Sequence, residues 1–167
     1  MKKVMVVLIG VICAGLLVGC TSSANSYLRV HIRANSNSEA DQNIKYFVKD
    51  VVVEYLSPKL TECKSKEEVI ETLNLYINDV KNLVDGVLIE NGFDYHCNID
   101  INNEFFPTRT YDDLTLEADY YDALIIKLGS GSGDNWWCVM YPNLCFNEVD
   151  NVVYKSKIKE IIEKIKE

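Results

Sequence analysis

Proline is scarce, at three residues in 167, and histidine is scarcer, at two. The histidines are isolated and no C-x-x-C pair occurs, so the ligand spacing of a zinc site is missing. No G-x-S-x-G, H-E-x-x-H or reactive-cysteine signature appears. No internal repeat and no second domain boundary are visible. Basic charge is also short: 17 Lys and Arg face 25 Asp and Glu, a net −8. Without a basic excess there is little to neutralise phosphates, which argues against nucleic acid as a partner. The same shortage argues against broad electrostatic adhesion to anionic surfaces. The expectation is therefore a non-enzyme without a cofactor.

What is present begins with residues 4–20, VMVVLIGVICAGLLVGC, behind Lys2 and Lys3. A charged start, an apolar core and small residues before a cut site describe a secretory signal. The ending Leu17-Val18-Gly19-Cys20 resembles the lipobox of bacterial lipoproteins, whose thiol receives a diacylglyceryl group before cleavage. The run from Val4 to Gly19 covers about 24 Å as helix, short of the ~30 Å hydrocarbon core. Two acyl chains on Cys20 would anchor stably where one is marginal. An uncleaved anchor and plain secretion are the alternatives. The expected organisation is a signal peptide over 1–20, a tether over 21–26 and one exported domain over 27–167. Without Lys2 and Lys3 the basic count drops from 17 to 15 against 25 acidic residues, so the exported part is −10.

Six cysteines occur, and Cys13 and Cys20 belong to the leader. The other four, in an exported chain, suggest disulfides, with three connectivities to choose from. Cys138 and Cys145 lie seven apart across the Pro142-Asn143 turn and are expected to pair. Cys63 and Cys97 would then pair by elimination.

Along the chain, Leu28, Val30 and Ile32 alternate with Arg29, His31 and Arg33, which predicts a half-buried strand over 27–34. Ser36 with Glu39, or Ser38 with Asp41, can cap a helix over 39–56. Ile44, Phe47, Val48, Val51, Val52 and Tyr55 form its apolar stripe, and Pro58 is expected to end it. Ser65 caps a second helix that Asn91-Gly92 stops. Tyr95, Cys97, Ile99 and Ile101 alternate as a strand. Phe105 to Tyr111 reads as extended, with Pro107 at an edge or bulge. Residues 123–128 form a more apolar strand. Gly129-Ser130-Gly131-Ser132-Gly133 reads as a flexible hairpin loop, since the G-K-[ST] ending of a phosphate loop is missing. An amphipathic helix over 152–166 closes the chain. The fold class is α+β: one compact domain with two long helices on an antiparallel or mixed sheet, plus a C-terminal helix.

Few constellations carry chemistry. His31 and His96 read as members of a solvated strand face. Asp112, Asp113, His96 and Glu117 are the convenient residues for a secreted cell-wall hydrolase, the rival function. Of Trp136 and Trp137, alternation sends one inward and one outward, and an exposed Trp is a plausible partner hot spot.

The segments HIRANSNSEADQNIKYFVKDVVVEYLSP and ENGFDYHCNIDINNEFFPTRTYDDLTLEADYYDALIIKLGSGSGDNWWCVMYPNLCF closely resemble the stage II sporulation protein R family. The resemblance spans roughly residues 28–146. It implies a signal rather than a catalyst. Proteins of that family are exported from the forespore into the space between the two cells. There they act on a membrane-embedded aspartic protease of the mother cell, which removes the pro-sequence of sigma-E. Arg33, Asn35, Ser36 and Gln42 match the first family motif, with Ala34 and Asp41. Phe106, Pro107, Thr108, Arg109 and Tyr111 match the second, with Thr110. Trp136 and Trp137 match the third, with Cys138, Pro142, Cys145 and Phe146. These residues are candidates for partner contact or for the fold. Cys63, Cys97 and the Leu-Val-Gly-Cys ending depart from the pattern. Lipidation at Cys20 would confine the protein to the outer face of the forespore membrane, facing the intermembrane space.

Overall fold

The computed structural model describes residues 23–145. The signal peptide expected over 1–20, Thr21, Ser22 and the helix expected over 152–166 lie outside the described residues. A 3₁₀ turn, Ser23–Ser26, opens the domain. It is more than a tether, because Ala24 is buried in a hydrophobic cluster. Then come β1 (Leu28–Arg33), α1 (Glu39–Leu60), α2 (Lys66–Glu90), β2 (Cys97–Phe106), β3 (Arg109–Tyr111), β4 (Leu114–Leu116), β5 (Asp119–Leu128) and β6 (Asn135–Tyr141).

The main sheet has the order β2-β5-β1-β6. β2 and β5 run antiparallel, β5 and β1 parallel, β1 and β6 antiparallel. The sheet is thus mixed and the domain α+β, with both helices against one face. Strands β3 and β4 form a separate two-stranded arm inserted between β2 and β5.

Both helices form where the sequence places them, with local chemistry setting their ends. Ser38 caps α1 by accepting the Asp41 N–H, and Ser65 caps α2 by accepting the Glu68 N–H. Glu68 reaches back to the Lys64 N–H at 2.8 Å, closing a box around the α2 start. At the far end, Gly92 N–H bonds to Ile89 O and Phe93 N–H to Leu88 O, the paired bonds of a Schellman stop. Pro58 does not end α1, which continues to Leu60. Side chains of the last turns add donors to helix carbonyls: Ser57 to Val53 O, Lys59 to Tyr55 O and Thr61 to Ser57 O.

The main core lies between helices and sheet. Val48, Val51, Val52 and Leu56 of α1 and Val69, Leu73, Val80, Val84 and Leu88 of α2 meet Leu28, Val30, Ile32, Leu124, Ile126 and Leu128. A second cluster sits on the opposite face, where Phe106, Leu116, Tyr121, Ala123, Ile125 and Val139 pack together. That second cluster overturns the half-buried reading of β1. Arg29 is fully buried and His31 is 4% exposed, because the β3–β4 arm and the 3₁₀ turn cover that face. Two-sided burial is what a central strand receives, and charged residues occupy it here because aromatic rings receive them.

The glycine-rich segment is not a hairpin loop. It joins β5 to β6, which are not neighbours, and so crosses the end of β1. Gly133, within that crossing, lies against the turn after β1, since a Cβ there would sit 2.2 Å from the Ser36 carbonyl oxygen.

The structure bonds Cys138 to Cys145, with Cα atoms 6.3 Å apart. The Cys63–Cys97 pairing is corrected, as both thiols are free. Cys63 Sγ lies 3.5 Å from Thr72 Oγ1 and Cys97 Sγ 3.6 Å from Lys81 O, both partners being on α2. Those partners are separated by about 14 Å of helix, about twice the longest Cα separation a disulfide bridges.

Candidate functional site

The motif residues gather in two places. The first is the turn after β1. Asn35 Oδ1 accepts from Ser130 N–H at 3.0 Å, and its backbone oxygen accepts from Ser130 Oγ at 2.7 Å. Asn37 Oδ1 accepts from Asp134 N–H at 2.6 Å. Together with Gly133 N–H to Ala34 O, these bonds hold the crossing segment over the sheet end.

Beneath them Asp41, 6% exposed, takes Ser36 Oγ and Asn35 Nδ2 on one carboxylate oxygen at 2.5 and 3.2 Å. Its other oxygen takes Tyr95 OH at 2.5 Å. Burial alone would raise the Asp41 pKa, but the bonds from Ser36, Tyr95, Asn35 and Ser38 outweigh it and leave it lowered. Gln42 donates to Ser36 O, and buried Lys45 donates to Gln42 Oε1 and to Asp134 O. Asn35, Ser36 and Gln42 are thus occupied inside the domain, as a latch between β1, α1 and the crossing segment.

The second place is the sheet face away from the helices. Register puts Arg29, His31 and Arg33 of β1 beside Ala123, Ile125 and Lys127 of β5 and beside Val139, Trp137 and Asn135 of β6. Asn98, Asp100, Asn102, Glu104 and Phe106 of β2 complete the face. At the covered end the Arg29 guanidinium lies 4.2 Å from the Phe106 ring centroid and 4.9 Å from that of Tyr121. It also donates to Tyr111 OH at 2.7 Å. A buried cation in aromatic surroundings gains about 2 kcal/mol per favourable ring contact, which offsets part of its desolvation.

His31 stands between Phe106 and Trp137, at 5.6 and 5.4 Å. Its Nδ1 lies 2.9 Å from Glu104 Oε2, while Arg33 pairs with the other oxygen of the same carboxylate. Glu104 would favour a charged ring, but its charge is shared with Arg33. Burial dominates, with help from Arg33, Arg29 and Lys127 and against the Asn135 side chain, so the His31 pKa falls to about 4. The ring is neutral at pH 7 and donates Nδ1–H to Glu104.

Arg109, from the arm, stacks 4.1 Å over Trp137. Pro107 makes the break between β2 and β3, and Thr108 pins the arm's base by donating to Glu117 and accepting from Ala118 N–H. Arg33, Phe106, Arg109, Tyr111 and Trp137 therefore converge, although they come from three distant motifs. Trp136 points the other way and packs on the main core. Both tryptophans are half-buried, so neither is simply outward. Arg29, His31, Glu104 and Lys127 were missed as site residues. No local signal marks them, because only strand pairing brings β2 alongside β5 and β5 alongside β1.

The hydrolase residues are not assembled. Asp112 and Asp113 are exposed at the tip of the arm, and Glu117 is exposed at its base. His96 precedes β2 and faces Asp85 at 3.6 Å, with 65% of its side chain exposed. The length of β2, about 33 Å at ~3.3 Å per residue, separates it from the arm. Among the described residues no group of three or more His, Cys, Asp or Glu could hold a metal ion. Among them, too, no helix is long and apolar enough to cross a membrane.

The chain is thus a single α+β domain whose motif residues build a latch and an aromatic, cationic sheet face. Residues 24–151 match the family Stage II sporulation protein R, and the chain belongs to that family. It is 32% identical over 124 residues to the Stage II sporulation protein R of Bacillus subtilis (strain 168). That alignment covers 74% of this chain and 55% of the relative, so the chain matches little more than half the relative's length. No solved structure matches.

Proposed function

We propose that this sporulation protein is an exported signal that activates a membrane-embedded aspartic protease of the mother cell, leading to removal of the sigma-E pro-sequence. The observation that carries the reading is the family match over residues 24–151, which takes in all but the edges of the folded domain. The leader supports it: residues 4–20 read as an export signal, and Cys20 stands where a lipoprotein is acylated. On this reading the domain works in the space between forespore and mother cell, tethered by lipid to the outer face of the forespore membrane. The concentration of motif side chains on one sheet face suits a protein that is recognised by another protein.

The test is reconstitution in a host that does not sporulate. The membrane protease and its pro-sigma substrate are expressed with the full chain, or with the chain lacking residues 2–20. Processing with the exported form alone is the expected result. Processing without this chain, or equal processing by the form retained in the cytoplasm, would overturn the proposal. Cys20→Ala then separates lipid anchoring from simple export.

A further inference from the structure

We infer that the open part of the sheet face away from the helices is a docking surface for an acidic segment of a partner protein. The argument starts from charge. Residues 23–145 hold ten basic and twenty acidic side chains. Three of those ten cations, Arg33, Lys127 and Arg109, lie on or over the open part of this face, with a fourth, Arg29, buried at the covered end. Glu104 and Asp100 share its open part, and Asp119 lies on the same face at the covered end, opposite Phe106. A domain with twice as many acidic as basic side chains thus gathers three of its ten cations along one open strip.

The cations are also underused. Glu104 serves Arg33 and His31 together. Lys127 has no ion-pair partner among the described residues, and Arg109 has only the Trp137 ring. Buried Arg29 leaves Nε and Nη1 without a hydrogen-bond partner. The β3–β4 arm covers the end of the face at Phe106 and Tyr121 and stops short of the other end. There Asn98, Asp100, Asn102 and Asn135 are exposed, and Arg33, Lys127, Arg109 and Trp137 are half-exposed. A strip with carboxylate-binding cations beside a flat indole is complementary to Asp and Glu side chains on a peptide. Residues from all three sequence motifs meet at its edge.

The identity of the partner rests on the proposed signalling role, but the surface does not, so the experiment contains no protease. The full chain, purified in a non-ionic detergent, is titrated into a fluorescein-labelled octaglutamate peptide, with octaglutamine as the uncharged probe. Binding of octaglutamate alone is expected, weakening as sodium chloride rises from about 50 to about 300 mM. Lys127→Ala with Arg109→Ala should weaken it about tenfold, and Lys49→Ala on α1 should leave it unchanged. Because a lost interaction can reflect a lost fold, Asn98→Lys, which adds a cation beside Lys127, should tighten binding about threefold. No binding of octaglutamate, equal binding of octaglutamine, or indifference to all of these substitutions would overturn the inference. Phosphatidylglycerol vesicles bound through Lys127 and Arg109, with no peptide bound, would overturn it in favour of a lipid surface.

Discussion

Asp41→Ala is expected to destabilise the domain by about 3–5 kcal/mol. The carboxylate accepts from Ser36, Tyr95 and Asn35, and hydrogen bonds to a charged group contribute about 1.5–3 kcal/mol each. Three bonds on one group do not add in full, which brings the sum down to the stated range. Alanine would also leave the half-buried Tyr95 hydroxyl and Asn35 amide without that acceptor. A domain of this size has about 5–15 kcal/mol in all, so the loss is a large fraction of it. Urea unfolding followed by tryptophan fluorescence measures it, with the midpoint falling and the slope unchanged. A double-mutant cycle with Tyr95→Phe should give a coupling of about 1 kcal/mol or more. The hydrogen-bonded carboxylate has a lowered folded pKa, so its contribution is present above the unfolded value of about 3.9 and vanishes as pH falls through the folded one. Variant and wild type should therefore converge in acid. A loss below about 1 kcal/mol at pH 7, without coupling to Tyr95, would refute the view that this carboxylate ties the turn to the sheet.

Three further outcomes follow from the same geometry. His31 is held neutral with a folded pKa of about 4, so the unfolded chain binds the extra proton first. Stability should fall by about 2 kcal/mol between pH 7 and pH 5, and His31→Gln should flatten that slope in urea titrations. Gly133→Ala would press a methyl group into the Ser36 carbonyl and should cost about 2–3 kcal/mol by thermal denaturation, against little for a surface alanine. Peptide mapping without reductant should recover Cys138 and Cys145 linked and Cys63 and Cys97 apart. In native alkylation Cys63 should react well before Cys97, whose thiol is buried and pushed up to about 12.

Most of the signals that are local read correctly. The Ser38 and Ser65 caps, the Asn91-Gly92 stop and the apolar stripes of both helices need only neighbouring residues to be recognised. The bond between Cys138 and Cys145 lies within one turn. What failed to read depends on the order of strands. Arg29 and His31 looked solvated because alternation reports two faces and cannot say whether the second is covered. The covering residues, Phe106, Leu116 and Tyr121, lie some 75–90 positions further along, a span read from the sequence. The crossing segment looked like a hairpin because β5 and β6 are consecutive, and only the insertion of β1 between them shows otherwise. Pro58 misled although it is a local signal, since the helix runs through it to Leu60. Of the candidate contacts, Asn35, Ser36 and Gln42 carry the same motif signature as Arg33, Arg109 and Trp137. Motif membership alone did not separate latch from surface.

The position of β1 has a kinetic consequence. It leaves the ribosome first among the strands, yet both its neighbours come last: Leu28–Arg33 pairs with residues 122–127 and with residues 135–141. The centre of the sheet cannot close until nearly the whole domain has been synthesised. Such long-range closure folds slowly, on the scale of milliseconds to seconds, where helices alone need microseconds. On the proposed function the chain is threaded through a membrane and has to stay open until it is across. Here delay is written into topology: α1 and α2 can form early, while the strand that unites them with the rest waits for the last part to arrive.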